Sequence, residues 1–464
     1  MNITVCNGSP RGPKSVTMQY FYYLEKLFPE HTFTYVHGAW RISRYQKDQS
    51  FFDEAMSRFE EADIILWGFP LYVLMVSSRM KQFIELIFDR KRTSVFKGTY
   101  SGTLTTSIHF FDNTAHEYIR AVSDDLGMNH VDFFPAKMND LMDREMRRAL
   151  VAWMSRIVDA HAGQIRMPRL YAPVRNTTVP YEPAAMSGPV HTDKRVTVLT
   201  DSSYGSDNVR NITDSVKAML PGAAVIDLAA IKMGPCIGCY KCGLDNVCTY
   251  EGTDDDFLPL FREHVEKADI LVYVQEIRDR YFGYNFQRFL ERSFARTHQP
   301  YLAGKHILFI ASGPLSENQV ARNIIQGYFE TMKATLVSCV SDEGDSSGAV
   351  GDAIREGIEK TVEWSHRKIV RPQTFLGIAG IRIFRDEIFE KLNMLFQGDH
   401  EYYKKHGIYD FPHRNVKMRT VSFLFRLVSR IPIVRREFRK RVATEMLKPY
   451  APVLKNARAE LDFK

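Results

Sequence analysis

The stretch ADIILWGFPLY, residues 62–72, decides the fold, because ADILVYVQEIR at residues 268–278 repeats its pattern 206 positions later. Each stretch starts Ala-Asp-Ile and continues as a short, bounded apolar run, which is typical of a strand buried in a parallel sheet. The same offset pairs KQFIELIFDR (81–90) with QRFLERSFAR (287–296). Similarity at a constant offset predicts a domain duplicated in tandem.

Closer to the amino terminus, the offset between the two halves is shorter. ITVCNGSP (3–10) aligns with VTVLTDSS (196–203) at an offset of 193, which is 13 less than 206. Between these anchors in the second half lies PCIGCYKCGLDNVC (235–248), a run with four of the six cysteines in the chain. The second copy is therefore predicted to carry a longer, cysteine-bearing loop.

Both halves alternate apolar runs with amphipathic helical patterns such as SVTMQYFYYLEKLF (15–28). Strand–helix alternation predicts an α/β fold with a doubly wound parallel sheet and helices on both faces. The Pro-rich piece from 166 to 194 is typical of a linker. The predicted organisation is thus a domain at 1–165, the linker 166–194, a second domain at 195–370 and a basic helical extension at 371–464.

Bulk composition is that of an ordinary globular protein, with 464 residues, 45% apolar and 25% charged. We find no run of about 18 apolar residues that would predict a membrane span, and no secretory pattern at the start. Four clustered cysteines with only two others do not suggest a disulfide-stapled protein. We therefore expect a cytoplasmic protein, with Cys6 and Cys339 buried in the core.

The net charge of +7 is concentrated in the carboxyl-terminal segment, where residues 371–464 hold 20 Lys and Arg against 10 Asp and Glu. Residues 419–447 combine apolar and basic positions at helical spacing. Such a segment either lies on an anionic membrane as a peripheral contact, or packs on the domains with a solvated basic face. No recognised nucleic-acid-binding fold accompanies the charge, so we expect no nucleic-acid partner.

Residues 7–17, NGSPRGPKSVT, follow the first predicted strand and open a helix. A turn of small residues at a helix amino terminus presents N–H groups to an anion. Ser9, Ser15 and Thr17 add hydroxyl groups, and Arg11 adds a charged fork, so a monophosphate suits this turn. Gly-Ser-Pro in itself is equally compatible with a plain tight turn.

A second loop, GFPLY at 68–72, follows another predicted strand, and loops at the carboxyl ends of parallel strands meet in ligand sites. Pro70, Leu71 and Tyr72 offer a rigid turn with apolar and aromatic surface for a flat ring. The alternative for Tyr72 is a role in packing.

With GSPR, S-x-T, P-x-Y and K-x-F-x-E in this order, residues 1–160 and more loosely 195–365 resemble the NAD(P)H-dependent FMN reductases of the flavodoxin-like fold. The resemblance implies FMN as cofactor and NAD(P)H as co-substrate. It also implicates the third loop, TTSIHFFDN at 105–113. Val16 departs from the family, where Asn is frequent. The cofactor-binding residues implied are Ser9, Pro10, Arg11, Ser15, Thr17, Pro70, Leu71, Tyr72, Thr106 and Ser107.

The spacing C-x2-C-x2-C-x5-C leaves four alternatives open: a disulfide pair, a zinc site, an iron–sulfur cluster, or cysteines without a metal. The segment from 233 to 257 resembles the cysteine segment of the iron–sulfur flavoproteins. That resemblance implies that a [4Fe–4S] cluster is bound by Cys236, Cys239, Cys242 and Cys248.

The second copy lacks the flavin loops. By the two offsets, Gly8–Arg11 correspond to Asp201-Ser202-Ser203-Tyr204, and Pro70–Tyr72 correspond to Glu276-Ile277-Arg278. A carboxylate at residue 201 is unsuited to a phosphate, so we expect no FMN site in the second copy.

Two functions follow as hypotheses. The first is an oxidoreductase that passes electrons from NAD(P)H or a reduced carrier through FMN, and through the cluster, to a small-molecule or protein acceptor. The second is a non-enzymatic redox sensor or electron relay that docks a partner or membrane through its tail. The second copy could also serve only as a pseudo-dimer partner covering the flavin. An oligomer is compatible with the sequence, and His109 is the nearest candidate for protonating a product.

Overall fold

The computed structural model describes residues 1–183 and 188–456. Its first parallel sheet has the strand order β2-β1-β3-β4-β5. These strands are β1 (Asn2–Asn7), β2 (Thr32–Val36), β3 (Ile64–Pro70), β4 (Tyr100–Ser107) and β5 (Asn129–Lys137).

The second parallel sheet has the equivalent order β7-β6-β8-β9-β10, so both halves have the 2-1-3-4-5 topology of doubly wound folds. The predicted α/β fold class is confirmed. Its strands are β6 (Val196–Thr200), β7 (Ala224–Asp227), β8 (Ile270–Glu276), β9 (His306–Ser312) and β10 (Thr335–Ser341).

The helices that flank the first sheet are α1 (Val16–Leu27), α2 (Ile42–Lys47), α3 (Gln49–Glu60), α4 (Ser78–Asp89), α5 (Asp112–Asp125) and α6 (Arg144–Ala162). The second half has α7 (Asp207–Met219), α8 (Cys242–Asp245), α9 (Phe257–Leu260), α10 (Tyr284–Ser293), α11 (Gln319–Thr331) and α12 (Ser347–Arg367). After it come α13 (Phe375–Glu387), α14 (Gln397–Lys405), α15 (Val416–Val428), α16 (Pro432–Leu447) and α17 (Tyr450–Asn456). None of the helices in the described residues is both long and apolar enough to cross a bilayer.

Burial explains why the central strands are continuous apolar runs. Six of the seven residues of β3 and all seven of β9 are buried, because helices cover both faces of each sheet. The edge strand β10 is much less covered. Cys339 on β10 is exposed, so its prediction as a core residue is wrong, whereas Cys6 on β1 is fully buried.

Strand positions also locate the extra residues of the second half. β7 begins 192 residues after β2, whereas β8 begins 206 residues after β3. The added length therefore lies between β7 and β8, which is the segment that contains the four clustered cysteines. Duplication as the origin of this arrangement stays an interpretation.

The chain forms two compact units, residues 1–402 and 403–464. The first includes both sheets and also α13, which packs on α11. The described parts of the predicted linker have no helix or strand, yet Tyr181 is buried in the second core and its hydroxyl lies 3.0 Å from Ser215 Oγ. This segment therefore adheres to the second sheet.

The two sheets join through α4 and α10, helices related by the 206-residue offset. Glu291 on α10 accepts hydrogen bonds from the Ser78 amide (2.5 Å) and hydroxyl (2.6 Å) at the start of α4. In the reverse direction, Glu85 on α4 accepts from the Tyr204 hydroxyl (2.8 Å), which in turn accepts from the Tyr284 amide (3.1 Å) at the start of α10. The interface is thus pseudo-symmetric, with one tyrosine hydroxyl inserted on one side.

Buried ions reinforce this interface. The Lys81 ammonium, fully buried, lies 2.6 Å from Glu85 Oε1 and 3.1 Å from Asp279 Oδ2. Arg280, also buried, forms a two-pronged contact with Asp125 across the halves. Loss of either partner would leave a buried charge unpaired, so these ion pairs tie the two sheets together.

Candidate functional site

A cavity of about 320 Å³ lies at the carboxyl ends of β1, β3 and β4. Its lining includes nine of the ten residues implicated in cofactor binding; Pro10 is in the adjoining turn but is not one of the lining residues. All four clustered cysteines line it too. The predicted residues that meet there are Ser9, Arg11, Ser15, Thr17, Pro70, Leu71, Tyr72, Thr106, Ser107, Cys236, Cys239, Cys242 and Cys248.

The first loop is organised as a polar turn. The Ser9 amide donates to Asn7 Oδ1 (2.9 Å), and the Arg11 amide donates to Ser9 Oγ (3.3 Å). Ser15 caps α1 by accepting from the Met18 amide. Arg11 and Lys14 line the cavity from an exposed rim. Hydroxyl groups, two cations and a helix amino terminus together could hold an anion at this end of the cavity.

Thr17 and Thr106 connect the first loop to the third. Their hydroxyl oxygens are 2.7 Å apart, and both residues are buried. Beyond them, Ser107 Oγ accepts from the His109 amide (2.9 Å). His109 itself is absent from the cavity lining found in the described chain; its imidazole contacts Asp112 at 2.8 Å, and this hydrogen bond raises the pKa of His109.

The second loop is held in a strained conformation. Val73 and Leu74 have φ values of 44° and 65°, which side chains with a Cβ rarely adopt, and Val73 is β-branched. The Tyr72 carbonyl accepts from Gln287 Nε2 of the second half (2.7 Å). Strain of this kind persists only when the surroundings fix it, and it is frequent at ligand sites. The second half therefore helps to set the shape of the flavin loop predicted in the first.

The cysteine loop lies directly against Tyr72. Gly238, between Cys236 and Cys239, has φ +63°, and a Cβ added there would be 2.4 Å from the Tyr72 hydroxyl. Arg292 secures this loop, because its buried guanidinium donates to the Gly234 carbonyl and to Asp255. The longer loop of the second half thus covers the site of the first.

No three His, Cys, Asp or Glu side chains in the described ranges are grouped as ligands of a single metal ion. None of the four cysteines is in a disulfide. Burial raises the pKa of both Cys236 and Cys242 to about 12, so these thiols are protonated and would release protons on binding a metal.

Several lining residues could not be found by matching one copy to the family. Glu291 faces the cavity from α10, and burial raises its pKa to about 7. His298 lines it as well, with Nδ1 2.7 Å from Asp399 Oδ2 and its ring 4.1 Å from Phe384. Phe384 and Phe396 come from the segment predicted to be a separate extension. Glu291 alone had a signal, since it aligns with the Glu of K-x-F-x-E.

In the second half, the residues at the aligned loop positions contact one another. Tyr204, which aligns with Arg11, lies so close to Gly283 that a Cβ there would be 2.4 Å from its ring. The Arg278 guanidinium, at the position of Tyr72, stacks 4.2 Å from the Tyr204 ring and contacts Glu276 at 3.0 Å. That the second half holds no FMN stays a prediction.

Comparison with known proteins adds a match for the first half. Residues 1–157 match a family model described as a flavodoxin-like fold. No curated protein matches the chain. Similar solved structures include an apo NADH:FMN oxidoreductase (17% identity, 35% of this chain and 89% of that chain, TM-score 0.29). Others are an FMN-dependent NADH-azoreductase from Bacillus anthracis (15%, 35% and 99%, 0.27) and the NAD(P)H:acceptor oxidoreductase FerB from Paracoccus denitrificans (15%, 34% and 97%, 0.28).

The match coincides with the first sheet and its helices, from β1 to the greater part of α6, and it confirms the flavodoxin-like fold predicted for this half. The second half has the same strand order but lies outside the matched residues. The amino-terminal third of the chain, residues 1–157, is therefore a domain of the flavodoxin-like fold.

Proposed function

We propose that the protein is an FMN-dependent oxidoreductase that takes electrons from NAD(P)H and passes them to an acceptor. One observation carries this proposal: three loops at the ends of β1, β3 and β4 line one cavity. In sheets of order 2-1-3-4-5, the crevice between the first and third strands is where FMN binds. The cavity volume of about 320 Å³ falls in the range of small-molecule sites.

The residues present suit the two ends of FMN. Ser9, Ser15, Arg11 and Lys14 supply hydroxyl groups and cations for a phosphate. Leu71 and Tyr72 supply apolar and aromatic surface for a flat ring. When bound, FMN would supply the capacity to accept a hydride and to release electrons singly. The chain would bind and orient it, and Tyr72 with the cysteine loop would limit access of water.

We further propose that Cys236, Cys239, Cys242 and Cys248 bind a [4Fe–4S] cluster. Support comes from the position of all four thiols on one cavity, together with the contact between their loop and Tyr72. In such a cluster each thiolate binds a different iron, so the sulfur atoms stand farther apart than around one ion. An arrangement without a single-ion group is compatible with that chemistry.

Spectroscopy with metal analysis tests both proposals on anaerobically purified full-length protein. We expect one FMN per chain, bleaching by NAD(P)H, and about four irons with matching sulfide. Absence of flavin after reconstitution would overturn the oxidoreductase. Stoichiometric zinc, or no iron after reconstitution, would overturn the cluster and leave the flavin proposal standing.

Variants separate the two cofactors. Cys236→Ser with Cys242→Ser should abolish iron binding and keep FMN, whereas Arg11→Gln should weaken FMN and keep iron. Cys339→Ser is the matched control for loss of a cysteine, because Cys339 is exposed on β10 away from the cavity lining. Its iron and flavin content should equal that of the wild type.

A further inference from the structure

Outside the cavity, the most unusual feature is the pair of helices α15 and α16, residues 416–447, which we call the tail hairpin. All thirteen residues of α15 are exposed, although eight of them are Val, Met, Leu or Phe. Phe423 and Leu424 have exposed fractions of 53% and 54%. A helix of this length is marginal in water unless its apolar face is covered, and large exposed apolar patches mark interaction sites.

The tail hairpin carries a large excess of positive charge. Residues 416–447 contain nine Lys and Arg but only two acidic residues, Glu437 and Glu445. On α15, the arginines at 419 and 426 are spaced by seven residues, which places them in one stripe along the helix axis, and Arg430 follows in the turn after the helix. Apolar side chains occupy most of the remaining circumference.

The second helix adds a concentrated basic region. A concavity of about 460 Å³ is lined by Arg430, Pro432, Arg435, Arg436, Arg439 and Lys440. The Phe425 and Phe438 rings are 4.8 Å apart and Arg435 Nε donates to the Ser429 carbonyl, so the two helices hold each other in this geometry. A cluster of five cations suits phosphate groups presented at high density.

We propose that the tail hairpin binds the surface of an anionic lipid bilayer. Apolar side chains beside a basic stripe, on helices lying in the plane of the interface, are the features that insert into headgroup and acyl regions while cations contact lipid phosphates. A nucleic acid would satisfy the cations but would leave the exposed Val, Leu and Phe in water. The bilayer satisfies both.

Vesicle flotation with the full-length protein tests this proposal. Vesicles containing phosphatidylglycerol should bind the protein, and pure phosphatidylcholine vesicles should bind it much more weakly. Added salt should reduce the binding, because it screens the surface potential. No flotation with anionic vesicles, or binding to duplex DNA in place of vesicles, would overturn the proposal.

Two variants of the hairpin separate its two contributions. The triple change Arg435→Gln, Arg436→Gln and Arg439→Gln should weaken partitioning roughly a hundredfold, since each charge near such a surface contributes on the order of 1 kcal/mol. Phe423→Ser with Leu424→Ser should weaken binding to every vesicle type and leave the salt dependence. Equal weakening by a control variant that removes three exposed arginines outside the hairpin would contradict the proposal.

The matched control removes three exposed arginines elsewhere, Arg144→Gln, Arg148→Gln and Arg210→Gln. It changes the net charge by the same amount and should leave partitioning unchanged. Flavin content, measured on every variant, should not differ from that of the wild type. A membrane result and a flavin result can therefore fail independently.

Discussion

The two halves of this chain share a strand order, but they have different side chains at the equivalent crevice of each sheet. In the first half, Arg11 stands at the rim of a cavity and Tyr72 forms part of its wall. In the second half, Tyr204 and Arg278 hold the aligned positions and stack on each other at 4.2 Å. The first pair of residues borders a cavity, whereas the two residues of the second pair contact each other.

The difference shows how two sheets with one strand order can contribute different parts to a single cavity. The loop between β7 and β8 of the second half extends over the first crevice and places Gly238 against Tyr72. The Glu291–Ser78 contact lies beside the cavity, whereas the pseudo-symmetric contact includes the Tyr204 hydroxyl. The side chain at position 204 therefore takes part in both features, in the interface through its hydroxyl and in the contact with Arg278 through its ring.

The largest effect is expected at Lys81 of α4. Lys81→Met leaves the carboxylates of Glu85 and Asp279 buried without a cation, which should lower the free energy of unfolding by about 3–5 kcal/mol. Gln287→Met changes the aligned position of α10 and loses neutral hydrogen bonds only, at a cost of about 1 kcal/mol. Urea denaturation measures both, and equal losses would contradict the asymmetry.

A pH-dependent effect is expected at Glu291. Burial raises its pKa from 4.5 to about 7, so the folded protein binds this proton more tightly than the unfolded chain. The stabilisation is complete below about pH 4.5 and is lost as the pH rises through 7, by up to roughly 3 kcal/mol. In Glu291→Gln this slope should disappear. A wild-type-minus-variant difference in unfolding free energy that stays flat from pH 4.5 to 8 would contradict the prediction.

Exchange of the aligned residues should give the first crevice the side chains of the second. Arg11→Tyr with Tyr72→Arg should weaken FMN binding by about 10- to 100-fold, because a charge-assisted contact worth about 1.5–3 kcal/mol is lost and the cavity is filled. The reciprocal pair, Tyr204→Arg with Arg278→Tyr, is the control and should create no second FMN site, since Asp201 remains in that loop. Fluorescence titration with FMN measures both, and a second bound FMN would contradict this account.

The smallest effect is expected at the Tyr204 hydroxyl, which lies between Glu85 and the Tyr284 amide. Tyr204→Phe removes the bridge between Glu85 and the Tyr284 amide and should destabilise the protein by about 1 kcal/mol. Tyr273→Phe is a suitable control, because the buried Tyr273 hydroxyl has no hydrogen-bond partner among the described residues. The thermal unfolding midpoints of the two variants should differ by about 1 °C, because the unfolding entropy of a unit of this size is large; identical midpoints would mean that the bridge contributes nothing.

Much of this arrangement could be predicted from the sequence. Buried parallel strands are continuous apolar runs, so β3 and β8 can be predicted within residues 62–72 and 268–278. The change of offset between the two halves indicates that the cysteine loop is the added segment. The loops at the strand ends converge because parallel topology requires it. Nine of the ten residues predicted to bind cofactor accordingly line one cavity.

What could not be predicted depends on contacts across the halves. Nothing local to Glu291 or Gln287 indicates that they reach Ser78 and Tyr72, because that depends on how α10 packs on α4. Phe384 and Phe396 belong to a segment whose basic composition suggested a separate extension, yet their rings line the cavity. Cys339 follows an apolar pattern but lies on an edge strand, where burial is incomplete.

Titration of the flavin-free full-length protein with FMN tests whether the crevice of the first half binds FMN while the second half only covers that crevice. The account predicts saturation at one FMN per chain, and binding that is weakened by Arg11→Gln and unchanged by Tyr204→Phe. Saturation at two FMN per chain, or no binding at all, would contradict it.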